Sequence, residues 1–285
     1  MVLREIECFY PGRSFPSVSV TGPICALRCK HCEAKYLEGM VPATTPENLL
    51  RFAKALEARG AKGFLLSGGS DANGRVPLSD FASTIARIKT ETSLKINAHI
   101  GLTPRDELAE LVRSGIDTFS VDIYGSDETI AEVLGLRATV EDYMCVLKSL
   151  KSLKAPLVVP HVCVGVHGGQ LRGERRAIAE IADVGVPVLV LISLIPTKGT
   201  RYASLLPPSP SDMIGIISLA RERMPETKIV FGCMRSKRNR SWEFDAVQAG
   251  LDGIVMPSES TVALMKKSGF AIRRRETCCS LYGYL

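Results

Sequence analysis

The sequence predicts an α/β chain folded as one (β/α)8 barrel, complete or nearly so. Three observations predict it. Short apolar runs of β character alternate eight times with longer helical patterns. Each run is almost wholly apolar, as parallel strands covered on their outer face must be. The 285 residues match one barrel, which typically takes ~250. A six-stranded partial barrel is the alternative architecture.

The elements follow in order along the chain. SVSVT (17–21) is the first strand. Residues 46–59 form an amphipathic helix, with Thr45 as N-cap and Gly60 as stop. GFLLS (63–67) is the second strand and 78–90 the second helix. LKINAH (94–99) is the third strand. Helix 104–113 follows, with Thr103 as N-cap, Pro104 in its first turn and Gly115 at its end. TFSVDI (118–123) is the fourth strand, trailed by helical 127–134 and 140–153. The fifth strand is 157–164 and the next helix 173–184. The sixth strand is 186–194 and its helix 211–223. KIVFGC (228–233) is the seventh strand, 241–249 a helix, GIVM (253–256) the eighth strand and 258–267 the last helix. No linker or solenoid repeat interrupts the series. The expectation is therefore a TIM-type barrel over 1–285, with segments 1–16 and 270–285 packing near its mouth.

Composition narrows the class. Apolar residues make up 46% of the chain, so it can bury a core and is not a disordered chain. No apolar run reaches the ~18–20 residues of a membrane span. The start, MVLREIECFYPG, carries Arg4, Glu5 and Glu7 and does not read as a signal peptide. The expectation is a cytoplasmic protein without a membrane partner. A net charge of +6 suits an acidic protein or an anionic small molecule. It is a weak sign of nucleic acid.

The nine cysteines are an odd number, and a chain of this size needs no disulfide staples, so clustering points to metal or redox chemistry. Three of them, Cys25, Cys29 and Cys32, lie in GPICALRCKHC (22–32), directly after the first strand. Three thiolates on one loop can turn toward one point, and soft thiolates suit an iron–sulfur cube. Three ligands leave one iron open to chelate a small molecule. A zinc knot is the competing reading, but His31 would have to fold back to be the fourth ligand. Ser67, Gly68, Gly69 and Ser70 end the second strand, where small residues allow close backbone approach. Asn97 and His99 end the third strand, Asp122 the fourth, and Pro196-Thr197 follow the sixth. Polar groups at these carboxyl ends face a barrel's site.

CxxxCxxC after the first barrel strand resembles the signature of the radical S-adenosylmethionine (SAM) superfamily. The resemblance implies a barrel of that type, with a [4Fe–4S] cluster on Cys25, Cys29 and Cys32 whose open iron binds SAM. Cleavage of SAM there gives a 5′-deoxyadenosyl radical that abstracts hydrogen from an unreactive C–H bond. It also implies SAM-binding roles for Ser67-Gly68-Gly69-Ser70, in place of the family's usual Gly-Gly-Glu, and for Asn97, His99, Asp122 and Pro196. Ser70 stands where that motif has its acid.

Cys278 and Cys279 adjoin one another near the C-terminus, where both cannot face one core if the segment is extended. With Cys8 and Cys233, which ends the seventh strand, they are the expected ligands of a second iron–sulfur cluster, with Cys163 as replacement. Scattered free thiols are the alternative, and Cys145 reads as core packing. SVDIYGSDETI, PHVCVGVHGGQLRGE, LIPTKGT, FGCMRSKRNRSWEFDAVQAGLDGIVMPS and the CCS tail most resemble the archaeal-type two-protein lipoyl synthases of the biotin synthase-like branch. That resemblance implies sulfur insertion at C6 and C8 of an octanoyl chain, with the auxiliary [4Fe–4S] cluster as donor and Ser280 as a possible extra ligand. It also implies an octanoylated lipoyl carrier protein or domain, a paralogous radical SAM partner and an electron donor such as ferredoxin. Other biotin synthase-like enzymes and a non-catalytic iron–sulfur scaffold remain alternatives. The basic residues Arg235, Lys237, Arg238, Arg240 and Arg273 to Arg275 read as a solvated face, a carrier-docking surface or, less simply, an RNA-binding surface.

Overall fold

In the computed structural model, residues 4–283 are described. Eleven strands form one parallel sheet among them. They are β1 (Glu5–Phe9), β2 (Ser17–Ser19), β3 (Val41–Pro42), β4 (Gly63–Ser67), β5 (Lys95–Ile100) and β6 (Thr118–Asp122). β7 (Val158–Val164), β8 (Val188–Ser193), β9 (Lys228–Phe231), β10 (Gly253–Val255) and β11 (Ala271–Arg275) complete it. The order across the sheet is β11-β1-β10-β9-β8-β7-β6-β5-β4-β2-β3.

The ends β11 and β3 each have one neighbour, so the curled sheet does not close by strand pairing. The architecture is a partial (β/α) barrel. The eight strands expected from the sequence correspond to β2 and β4 to β10, and three more flank them. The segment 1–16, expected near the mouth, instead supplies β1, paired between β10 and β11. Residues 1–3 and 284–285 of the two terminal segments lie outside the described residues.

The helices are α1 (Pro46–Glu57), α2 (Ala82–Glu91), α3 (Arg105–Arg113), α4 (Asp127–Thr129), α5 (Val140–Ser152), α6 (Glu174–Val184), α7 (Pro210–Arg223), α8 (Glu243–Gln248) and α9 (Glu259–Lys267). Local chemistry sets their starts. The Thr45 hydroxyl accepts from Asn48 N at 3.2 Å, and Thr139–Asp142 and Ser209–Asp212 form reciprocal capping boxes. Thr103 does not cap α3. Pro104 holds the extended N-cap position instead (ψ 152°), and the buried Thr103 hydroxyl has no partner. The expected helix 127–134 starts as α4 and continues as a π turn, Ile130–Leu134.

Strand alternation divides the core in two. Ile6, Cys8, Phe64, Leu66, Phe119, Val162 and Leu189 belong to the larger cluster, together with α-helical residues such as Leu49, Ile85 and Leu147. Phe9, Val159, Val188, Val190, Val230 and Val255 form the smaller one, inside the curl. Cys279 packs with them. The tail thus enters the lumen: Thr277, Cys279, Ser280 and Leu281 are buried. The Tyr282 ring lies 5.9 Å from that of Phe9.

Candidate active site

The cysteine loop leaves β2 and folds back on itself. Arg28, Glu33 and Ala34 adopt left-handed backbone with φ of 47°, 42° and 66°. Such geometry costs on the order of 1–2 kcal/mol for a residue with a Cβ, and it persists only where neighbours over-determine it. Here they do. Ala26 N donates to Ser70 O at 2.8 Å and Lys30 N to Val133 O at 2.8 Å. From the loop after β8, Arg201 Nε donates to Glu33 Oε1 at 2.7 Å, and its Nη2 reaches Arg28 O.

Cys25, Cys29 and Cys32 line one cavity of about 220 Å³. Ser67, Gly68, Gly69 and Ser70 line it from the end of β4, His99 from β5 and Asp122 from β6. Gly69 has a sharper role than flexibility, because a Cβ there would lie 2.0 Å from Ile24 O and 2.6 Å from Cys25 Cβ. Its N–H donates to Thr21 Oγ1 at 2.7 Å. The β4 loop is thereby pressed onto the cysteine loop.

Two of the three thiols share a hydrogen bond. A hydrogen bond between Cys29 and Cys32 pulls Cys32 down and pushes Cys29 up, and His31 also favours the Cys32 thiolate. The His99 Nε2 lies 3.3 Å from Asp122 Oδ1, a charge contact. Burial opposes charge on both, but each holds the other's ion: His99 is raised and Asp122 lowered. The buried His31 Nδ1 has no hydrogen-bond partner. A cavity with three convergent thiols, an unpartnered imidazole nitrogen and the His99–Asp122 pair fits a thiolate-ligated cluster with a polar ligand beside it.

Sequence reasoning missed four residues around this cavity. Tyr36, Tyr124 and Tyr143 line it, and the Tyr36 hydroxyl lies 3.1 Å from Thr197 Oγ1. That bond joins the Pro196-Thr197 turn to the cavity wall; Pro196 itself is not in the lining. The fourth, His161, shares the inward face of β7 with Cys163, two residues away, which is the parity signal that could have found it. Its ring lies 5.3 Å from that of His99. Burial and the neighbouring His99 push its pKa down to about 4, so it is neutral near pH 7. With Val159 O accepting from Nδ1 at 3.0 Å, Nε2 is left to accept from Ser280 Oγ at 3.5 Å.

Asn97 requires correction. It faces inward like His99 but one step deeper, where the tail covers it. Its Nδ2 donates to Cys278 Sγ at 3.4 Å, and Ser120 Oγ donates to its Oδ1 at 2.9 Å. Ser120 Oγ also lies 3.1 Å from Ser280 Oγ. Asn97 therefore holds the tail and is absent from the cavity wall.

The expected second ligand group is also redrawn. Cys278 and Cys279 are hydrogen-bonded, which lowers the first and raises the second. Charge on Cys233 would be felt by Cys279, and charge on Cys278 by Cys233. Cys8 does not join them. It is fully buried in the larger core cluster, while its neighbour Phe9 faces the lumen. Burial raises the Cys8 thiol to about 11, against the pull of Arg274. Cys163 sits elsewhere too: burial raises it, and its charged neighbours are Asp122, Glu174 and Cys32. Cys145 is exposed on α5, not core packing.

Most residues of the basic runs have partners, although only Arg235 is buried. Arg235 and Arg240 pair with Glu243, Arg273 with Glu5 and Arg275 with Glu7. Arg274 lies 3.9 Å from the Tyr10 ring centre. Among the described residues Lys237 and Arg238 have no ion pair, and both are exposed.

Residues 19–172 match the radical SAM superfamily. The chain belongs to that superfamily, and it is a radical SAM enzyme whose family cofactors are a [4Fe–4S] cluster and SAM. Among curated proteins it is similar to the biotin synthase of Thermotoga neapolitana, at 27% identity over 86% of this chain and 88% of that one. The biotin synthase of Citrifermentans bemidjiense is 23% identical over 81% of this chain and 71% of its own. Among solved structures, the [FeFe]-hydrogenase maturase HydG of Carboxydothermus hydrogenoformans superposes with a TM-score of 0.69 at 18% identity, covering 94% of this chain and 68% of that one. Methylornithine synthase (PylB) gives 0.65 at 15% identity, covering 95% and 84%. These two likenesses are likenesses of fold. No helix among the described residues is long and apolar enough to cross a membrane.

Proposed function

We propose that this radical SAM enzyme inserts sulfur, as a lipoyl synthase component acting at C6 and C8 of a protein-bound octanoyl chain. The single observation behind it is the second group of thiols, Cys233, Cys278 and Cys279, brought next to the first site by a tail threaded into the lumen. Asn97 Nδ2 bonds Cys278 Sγ at 3.4 Å, two residues from the cavity-lining His99.

Cys25, Cys29 and Cys32 hold the first [4Fe–4S] cluster, and Cys233, Cys278 and Cys279 the second. When bound, the first supplies the electron that cleaves SAM to a hydrogen-abstracting radical, and the second supplies sulfide. The chain's own residues prepare the space between. Gly68 and Gly69 let the β4 loop approach the cysteine loop, and the His99–Asp122 pair offers polar contacts to SAM. The neutral His161 adds no charge between the two thiol groups. Val159, Val190 and Val230 line the lumen and give Cys279 an apolar bed. An octanoylated carrier domain, a paralogous partner and a reductant such as ferredoxin complete the scheme.

A second reading rests on the similarity to biotin synthases: the same two thiol groups would place sulfur into the sulfur-free precursor of biotin. One experiment separates them. The anaerobically reconstituted protein is incubated with SAM, reductant and an octanoyl-lysyl peptide, or the biotin precursor, with and without the paralogous partner. The lipoyl reading expects a peptide heavier by sulfur. 5′-Deoxyadenosine without a thiolated peptide, in the partner's presence, overturns it, and sulfur in the biotin precursor establishes the other.

A further inference from the structure

Arg235 heads the fully buried side chains of the described residues, at 1% exposure. Its guanidinium is held on every side. Nη1 donates to Gly232 O at 2.7 Å, and Nη2 and Nε donate to Glu243 Oε1 at 2.8 and 3.2 Å. Nη2 also approaches Met256 O at 3.4 Å, and the carbon centre lies 4.7 Å from the Phe231 ring centre. Glu243, equally buried, uses its other oxygen to accept from Ser258 N at 2.8 Å and Thr261 Oγ1 at 3.0 Å. One ion pair therefore ties the end of β9 to the start of α8, the β10 loop and the start of α9.

Burying two charges is a poor way to gain stability, since apolar residues of similar volume often do as well or better. What a fully bonded pair does supply is one defined geometry. The residue it fixes is two positions before it. Arg235 N donates to Cys233 O at 3.1 Å, Gly232 N to Leu191 O at 2.8 Å and Ser193 N to Met234 O at 2.8 Å. The backbone on both sides of Cys233 is thus pinned to β8, while the Cys233 residue itself is exposed and in no disulfide. Across the lumen, Asn97 and Ser120 hold Cys278 and Ser280 in the same manner.

We propose that Arg235, through Glu243, is a positioning residue for Cys233, fixing it as the stationary ligand against which the tail cysteines close on the second cluster. This rests on the reading of Cys233, Cys278 and Cys279 as ligands of that cluster. Arg235 touches neither cluster nor substrate. Its loss is expected to leave the first site intact and to empty the second.

The test compares the full-length protein with Arg235→Gln and Arg235→Lys after anaerobic reconstitution with iron and sulfide, reading iron content and Mössbauer and EPR spectra. The wild type is expected to hold about eight irons, two cubanes. Arg235→Gln is expected to hold about four, with the EPR change on SAM addition and 5′-deoxyadenosine formation both retained. If Arg235→Gln does not fold, Arg235→Lys carries the test. It keeps the charge but not the fork that bonds Gly232 O and Glu243 together, and is expected to lose at least half of the second cluster's iron. Eight irons and an unaltered spectrum in the folded variant overturn the positioning role while leaving the ligand assignment standing. About four irons in the wild type remove the second cluster and the proposal with it.

Discussion

At the residue scale, the site depends on close approaches that tolerate little added volume. Gly69 shows this best. A methyl group there meets Ile24 O at 2.0 Å, and the obstacle is backbone, so the cysteine loop itself must shift. Gly69→Ala should lower stability by about 1–3 kcal/mol, the usual cost of overpacking. It should also reduce the iron taken up by the first site, read by thermal melts and iron assay on the same sample. Normal iron with a normal melt would mean that the loop has slack the geometry does not show. The GPICALRCKHC cluster and the Ser67-Gly68-Gly69-Ser70 turn were legible in the sequence because each lies within a few residues of itself. Asn97 was not separable from His99 in that way. What distinguishes them is the tail, whose Cys278 is 181 positions away.

At the scale of elements, the strands that escaped notice are those bearing charge. EIECF and AIRRR read as polar or basic segments. In register, however, Glu5 faces Ala271 and Glu7 faces Arg273 across β1–β11, which brings Glu5 near Arg273 and Glu7 near Arg275. The Arg273–Glu5 pair is exposed and worth little by itself, whereas Glu7 is buried beside Arg275. Glu243 is buried more completely still, at 1% exposure. Burial opposes its charge, but the Ser258 N–H and the charges of Arg235 and Arg240 hold its carboxyl down to about 2. A folded pKa below the ordinary value of 4.5 means the stabilisation is complete above that value. It is lost as pH falls toward 2. Glu243→Gln leaves Arg235 without its counter-charge and should cost about 3–5 kcal/mol near neutral pH. In urea unfolding series, the gap from wild type should narrow between pH 4.5 and pH 2. A gap constant across that window would show that the carboxylate is not the source of the stability.

At the scale of the whole molecule, alternation of apolar strands and helices announced a parallel α/β barrel. It could not say whether the ring closes, because closure depends on pairing between the two ends of the sheet, β3 and β11. Neither was legible: β3 has two residues and β11 is a basic run. The open sheet leaves a lumen, and the tail fills it with Cys279, Ser280 and Leu281. That tail carries Cys278 to Asn97, on the strand whose His99 lines the first site.

The central claim is that Cys25, Cys29 and Cys32 hold a cluster that cleaves SAM. Its most direct measurement is 5′-deoxyadenosine formed by anaerobically reconstituted protein with SAM and a strong reductant, alongside the variant with all three cysteines changed to alanine. The wild type should form it, with an EPR signal from the reduced cluster that changes when SAM is added, and the triple variant should form none while melting as a folded protein. The account is contradicted if the triple variant still makes 5′-deoxyadenosine, or if the wild type binds a zinc ion at those thiols and makes none.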